Sequence, residues 1–291
     1  MDRFTIKDLE NLSGIKAHTI RIWEKRYALL APTRSSTNIR YYSLEDLRLF
    51  LNISLLNKYG FKISQLTKIS EQNLQSLIST LKYKEAAQEY AVNELIVKMF
   101  SLDITGFEFF LTGYININGI AASVSCIIFP FLQKMELLRN EKRLSSECEH
   151  LMQNIIRQKL IVAIEQQNCS NPYKKTVLVF LPENDYYEIE LLFAQYLLKQ
   201  HGIRVIYLGI NVPEKDVKQI AFNKKPDFIY TQYSDVPPNN NMYKFIEKLS
   251  QHFKNFTVIV TSARLQFFRK NIPENIQLKF SIPEAVNYIM Q

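Results

Sequence analysis

A chain of 291 residues with 47% hydrophobic and 12% aromatic side chains is too long for one ordinary domain and too apolar to be disordered, so two or three folded domains are expected. The formal net charge of +8 is uneven: residues 1–75 hold 12 Lys and Arg against 7 Asp and Glu, whereas the rest hold 24 against 21. A basic excess concentrated at one end is the electrostatic footprint of a nucleic-acid partner. Cys126, Cys148 and Cys169 stand far apart, with no Cys-x-x-Cys and no clustered His. That pattern excludes a disulfide framework, structural zinc and a metal sensor, and it reads as buried, reduced thiols. The chain begins Met-Asp-Arg-Phe without a signal-peptide pattern, so a cytoplasmic protein is expected.

The first element is a short helix opened by the capping box Thr5-Ile6-Lys7-Asp8, with Ile6, Leu9 and Leu12 on its apolar side. Gly14 supplies the left-handed turn that ends it, and Ile15, Ile20, Trp23 and Tyr27 bring one face of a second helix back onto the first. This is helix-turn-helix spacing. The opposite face carries Arg21, Lys25 and Arg26, with His18 and Thr19 at its start, and suits the major groove, where guanidinium groups read guanine edges or clamp phosphates. After Pro32, the run from Arg34 through Asn38 to Arg40, Tyr41 and Tyr42 is a polar turn between two short extended pieces, a wing for the phosphate backbone. The capping box Ser43-Leu44-Glu45-Asp46 opens a further helix.

Thr19-Ile-Arg21-Ile-Trp23-Glu24-Lys25-Arg26-Tyr27, then Pro32-Thr-Arg34, then Arg40-Tyr-Tyr42-Ser43, resembles the winged helix-turn-helix of the MerR family over residues 3–75. The resemblance implies a sequence-specific transcription regulator that binds double-stranded DNA, with His18, Thr19, Arg21, Lys25, Arg26, Arg34, Asn38, Arg40, Tyr41 and Tyr42 as the contacting residues. A small helix-turn-helix covers too few base pairs to be selective alone, so an inverted-repeat site and at least a dimer are expected, with RNA polymerase as a further partner.

The stretch 73–84 is polar and lacks Pro and Gly, and reads as a semi-rigid linker or a loosely packed helix. Four helix-length apolar patterns follow at about 84–100, 104–116, 119–138 and 144–166, the pattern of a four-helix bundle. Residues 109–133 carry no charge, but their polar and Gly/Pro interruptions keep the strongly apolar part to about 14 residues. A bilayer needs roughly 20, so these are read as buried helices and no membrane partner is expected.

From Val177 the pattern alternates strands, at 177–181, 205–209, 228–231, 258–261 and 276–280, with helices at about 186–200, 213–223, 239–253, 263–270 and 282–290. Short, continuously apolar strands belong to a parallel sheet covered on both faces. The expected fold is therefore multidomain α plus α/β: a winged helix-turn-helix over 1–75, a four-helix bundle over 83–168, and a flavodoxin-like, Rossmann-like domain over 174–291, with any ligand over the carboxyl ends of its strands.

That order of domains resembles the cobalamin-binding, light-sensing regulators of the carotenoid-control type. In that family the loop after the first strand carries acid-x-His-x-x-Gly, the His binding cobalt and the Gly admitting the nucleotide tail. Here the matching stretch holds Asp185, Tyr187 and Glu190, so only the acid is kept. Tyrosine must lose a proton to coordinate, and Glu190 puts a charged side chain where the tail would need room. The family's Gly-Gly at the end of the fourth strand is matched by the stretch Thr261-Ser262-Ala263, its corrin-covering tryptophan falls near Arg139, and its Glu-His pair is kept as Glu149-His150. The resemblance thus implies the architecture of a cobalamin sensor whose cobalamin motif is degenerate, with no cofactor and no metal expected. Two alternatives stay open: a cobalamin-dependent light-sensing regulator, and a corrinoid carrier subunit of a methyltransferase or mutase. No Gly-rich phosphate loop, Gly-x-Ser-x-Gly or metal-ligand cluster points to an enzyme.

Overall fold

The computed structural model describes residues 3–167, 175–233, 242–262 and 272–291. The chain forms two compact units, Met1–Ile155 and Ile156–Gln291.

In the first unit α1 (Ile6–Ser13) starts at the expected capping box: Asp8 N–H donates to Thr5 Oγ1 at 3.3 Å, and Thr5 N–H donates to Asp8 Oδ2 at 2.7 Å. Gly14 closes the helix at φ 77°, where a side chain would cost strain. The next helix, α2 (Ala17–Tyr27), buries Ile20 and Trp23 and carries Lys25 and Arg26 in its last turn, where the helix dipole favours cations. The strands β1 (Thr33–Arg34) and β2 (Arg40–Tyr41) pair antiparallel, Thr33 against Tyr41 and Arg34 against Arg40, and form the expected wing. A second capping box, Ser43 with Asp46, opens α3 (Leu44–Lys58).

After the short α4 (Ile63–Leu66), most of the stretch read as a linker or a loosely packed helix is helical, α5 (Glu71–Thr80), capped by Ser70 and burying Leu74 and Ile78. Two apolar residues at i and i+4 suffice to dock a helix that is otherwise polar. Four helices follow in the expected places: α6 (Lys84–Phe100), α7 (Ile104–Asn118), the run of α8 (Ile120–Ser123), a π-helical turn (Val124–Ile128) and α9 (Phe129–Asn140), and finally α10 (Ser146–Glu165). The run Ile120–Asn140 has the length and apolarity of a membrane span. Its Val124, Ile127, Ile128, Phe131, Met135 and Leu138 are buried in the unit, and Phe131 packs on Phe107 at 5.4 Å, as in a bundle core.

Two cations fasten α1 to α9 and the turn after it. Arg143 donates from Nε to both Asp8 oxygens at 3.0 Å and from Nη2 to the Arg3 carbonyl at 2.7 Å. Lys134 donates to the Leu12 carbonyl at 2.8 Å and to Asn93 Oδ1 at 2.9 Å. Burial pushes the Lys134 ammonium down to about 8. Phe4 adds an edge-on contact with Phe100 at 4.7 Å, so the helix-turn-helix and the bundle share one core.

The second unit holds a five-stranded parallel sheet of β3 (Thr176–Pro182), β4 (Arg204–Val212), β5 (Phe228–Gln232), β6 (Thr257–Thr261) and β7 (Ile276–Lys279), in the order β4-β3-β5-β6-β7. Its helices are α11 (Glu188–Gln200), α12 (Glu214–Lys224), α13 (Met242–His252) and α14 (Ile282–Met290). Leu178, Phe180, Ile229, Val258 and Val260 face α12 and α13, while α11 and α14 pack together over β3 and β6 with the alternate residues. This is the flavodoxin-like order, and all five expected strands are present. The expected helix at 263–270 lies outside the described residues.

Candidate functional site

The outward face of α2 presents His18, Arg21, Lys25 and Arg26, all exposed, with Thr19 half-buried. The helix faces this way because Ile20 and Trp23 are drawn into the core, Trp23 against Phe50 at 6.1 Å. At the wing, Arg34 and Asn38 are exposed and joined, Arg34 Nη1 donating to Asn38 Oδ1 at 2.6 Å. Asn38 takes the left-handed conformation, φ 63°, that Asn tolerates at a tight turn. Tyr41 is half-buried beneath the guanidinium of Arg3, which lies 5.8 Å from its ring.

Two expected contact residues have another task. Tyr42 is 1% exposed and donates its hydroxyl to Glu24 Oε1, and Arg40 donates from Nε to Glu24 Oε2 at 3.2 Å. Burial, then the Glu24 hydrogen bond, raises the Tyr42 pKa, so the phenol is a neutral donor. Tyr42 is therefore a core residue rather than a surface contact. Aromatic residues beside an Arg suit phosphate and core alike, and only the fold distinguishes them. Glu24 ties the recognition helix to the wing. The sequence motif contained it, but its partners lie 16 and 18 residues away. Sequence reasoning also passed over Ile22, which is 52% exposed among the basic residues of α2.

In the second unit the loop after β3 places Asp185 in a buried position, its Oδ1 accepting the Tyr187 N–H at 3.1 Å and its carbonyl accepting the Asn211 N–H at 3.1 Å. Tyr187 caps α11 and is half-buried. Glu188 accepts from Arg157 Nε at 2.5 Å and from the Tyr207 hydroxyl at 3.4 Å, which fastens the last turns of α10 to α11. Burial and the Glu188 carboxylate raise the Tyr207 pKa, keeping it a donor. Glu190 is exposed, so the obstruction expected from its carboxylate is not a buried charge. Spacing alone could not tell which side of α11 it takes.

What fills the strand ends is a polar network that the sequence did not reveal. The fully buried Tyr230 hydroxyl lies 2.8 Å from Thr261 Oγ1 and accepts from Gln232 Nε2 at 3.0 Å. Thr261 belongs to the stretch matched to the family's Gly-Gly, and here its side chain takes part in this network. In the first unit Arg139 Nη1 pairs with Glu149 Oε1 at 3.1 Å, and His150 is exposed. The kept Glu is thus paired with the residue near which the family's tryptophan would fall. Among the described residues no group of three metal-binding side chains occurs, and Cys126 and Cys148 are free and half-buried. Cys169 lies outside the described residues.

Residues 4–73 match the family model described as MerR HTH family regulatory protein. The chain is 23% identical over 232 residues to the HTH-type transcriptional repressor CarH of Myxococcus xanthus, covering 78% of this chain and 77% of CarH. It is 23% identical over 261 residues to the HTH-type transcriptional repressor CarA of the same organism, covering 88% of this chain and 85% of CarA. Among solved structures, the monomethylamine corrinoid protein of Methanosarcina barkeri aligns at a TM-score of 0.49 and 9% identity, covering 68% of this chain and 95% of that one. The chain therefore joins a MerR-type helix-turn-helix segment to a parallel α/β unit, and most of its length is similar in sequence to two transcriptional repressors.

Proposed function

We propose that this protein is a non-enzymatic, sequence-specific DNA-binding transcription regulator of the cytoplasm that reads an inverted repeat as a dimer. The observation that carries the reading is the outward basic face of α2, joined through Glu24 to the wing that holds Arg34. A helix presented this way fits the major groove, and a wing beside it fits the flanking phosphates. Two copies of the helix supply the selectivity that one lacks. Selection from random or genomic fragments with the full chain is expected to yield an inverted repeat with half-sites about one helical turn apart. Recovery of unrelated fragments, bound only at low salt, would count against it.

The roles divide further. Arg34→Ala is expected to weaken binding evenly across sequences and to reduce the salt slope by about one, the mark of a lost phosphate contact. Arg21→Ala is expected to cost roughly 1 to 3 kcal/mol on the selected site and little on other DNA, as a base contact does. Titrations of both variants on specific and scrambled duplexes at several salt concentrations check this. Identical behaviour of the two would refute the division.

We further infer that the α/β unit does not hold cobalamin in the manner of the family it resembles. Tyr187 stands at the cobalt-ligand position, and a neutral phenol is a poor ligand. Thr261, in the stretch matched to the family's glycines, carries a side chain that is hydrogen-bonded into a buried network with Tyr230 and Gln232. Arg139 is engaged with Glu149 in place of a flat aromatic cover. These residues favour a unit that docks a protein or takes a different small molecule.

A further inference from the structure

On a helix with 3.6 residues per turn, each residue advances by about 100°. The exposed side chains of α2 then span an arc whose middle is His18, Ile22 and Lys25, with Arg21 at one edge and Arg26 at the other. Ile22 leaves 52% of its surface in water in a helix that buries Ile20 and Trp23. An apolar side chain ringed by His18, Arg21, Lys25 and Arg26 matches a partner that is polyanionic at its walls and apolar at one point within. A major groove containing thymine has this character, since its C5-methyl is the apolar group displayed there and phosphates line both sides.

We propose that Ile22 is a specificity-determining residue that packs on a thymine methyl in each half-site, between Arg21 at one edge of the arc, which reads a neighbouring base, and Arg26 at the other, which meets phosphate. The inference rests on the DNA-binding reading and names the base that the reading leaves open. Burying one methyl against an isoleucine is worth about 0.8 kcal/mol, which corresponds to roughly a four-fold change in affinity.

Deoxyuridine lacks only the C5-methyl, so it removes this contact without changing hydrogen bonds. With the full chain and its selected duplex, replacing one particular thymine per half-site by deoxyuridine should weaken wild-type binding about four-fold per half-site. Ile22→Ala should lose about the same on the thymine duplex, and deoxyuridine should then cost it nothing more. Ile22→Val should fall between, and because the residue is exposed all three proteins should show equal circular dichroism and unfolding midpoints. If specific binding persists but no thymine couples to Ile22, the proposal fails and the DNA-binding reading stands. If no duplex is selected at all, both fail. Retention on phosphatidylserine vesicles that matches DNA binding and is lost in Ile22→Ala would assign this face to a membrane and overturn the proposal.

Discussion

Replacing Arg143 with alanine is expected to destabilise the Met1–Ile155 unit by about 3 to 5 kcal/mol, the usual cost of leaving one member of a buried ion pair behind. The carboxylate left behind is Asp8, 1% exposed, which loses three donor contacts of 3.0 Å and keeps only its capping bonds to Thr5. The same change frees the Arg3 carbonyl. Trp23 is the single tryptophan of the chain and sits in α2, so its fluorescence in a urea titration reports this unit. The double variant Asp8→Asn, Arg143→Met should lose less than the two single variants summed, because neither charge is then stranded. A loss below about 1 kcal/mol for Arg143→Ala would mean that the pair does not fasten α1 to the bundle.

The second large effect depends on pH. Lys134 is half-buried as a residue, but its ammonium is enclosed, and burial lowers its pKa from 10.5 to about 8. Between about pH 8 and 10.5 the unfolded chain holds a proton that the folded chain has released, so stability rises with pH across this window. The gain is fully present above the unfolded pKa and is lost as pH falls through the folded one. The full excursion is about 3 kcal/mol at roughly 1.4 kcal/mol per unit. Unfolding free energies of wild type and Lys134→Met, measured side by side at several pH values, should therefore diverge by about that amount across the window. Parallel pH profiles would show that Lys134 does not titrate abnormally. The variant also strips a donor from the Leu12 carbonyl and Asn93, which adds a loss independent of pH.

Both effects arise from contacts that sequence reading could not find. Asp8 was legible as a capping residue because its partner Thr5 is three positions away, but its pairing with Arg143 spans 135 residues. The same contrast runs through the fold. Gly14, the Ser43 box and the five apolar strand runs are local signals, and each stands where it was expected. The polar stretch 73–84 left a linker and a loosely packed helix both open, because Leu74 and Ile78 are a faint stripe, yet they are enough to dock α5. At the candidate interface, periodicity placed Arg21, Lys25 and Arg26 outward correctly. It could not separate Tyr42, a buried donor to Glu24, from a residue facing DNA. At the strand ends the missing His and Gly were visible in the sequence. Tyr230 and Gln232, which build the network on Thr261, were hidden inside an ordinary strand pattern.

The network at the strand ends bears on the proposal made for the α/β unit. A buried Tyr-Thr-Gln network is costly to open, because each hydroxyl or amide pulled from its partner loses about 1 to 3 kcal/mol. The proposal that this unit does not hold cobalamin rests on this network together with Tyr187 at the position matched to the family's histidine.

One measurement tests the whole reading. The full chain is incubated in the dark with adenosylcobalamin or methylcobalamin and passed through gel filtration, and the eluted protein is titrated onto its inverted-repeat duplex before and after illumination. A regulator that binds DNA through α2 and holds no cobalamin in its α/β unit should elute colourless, at an oligomer size indifferent to light, and with the same sequence-specific affinity in both titrations. A stable coloured complex whose oligomer size and DNA affinity change on illumination would contradict it.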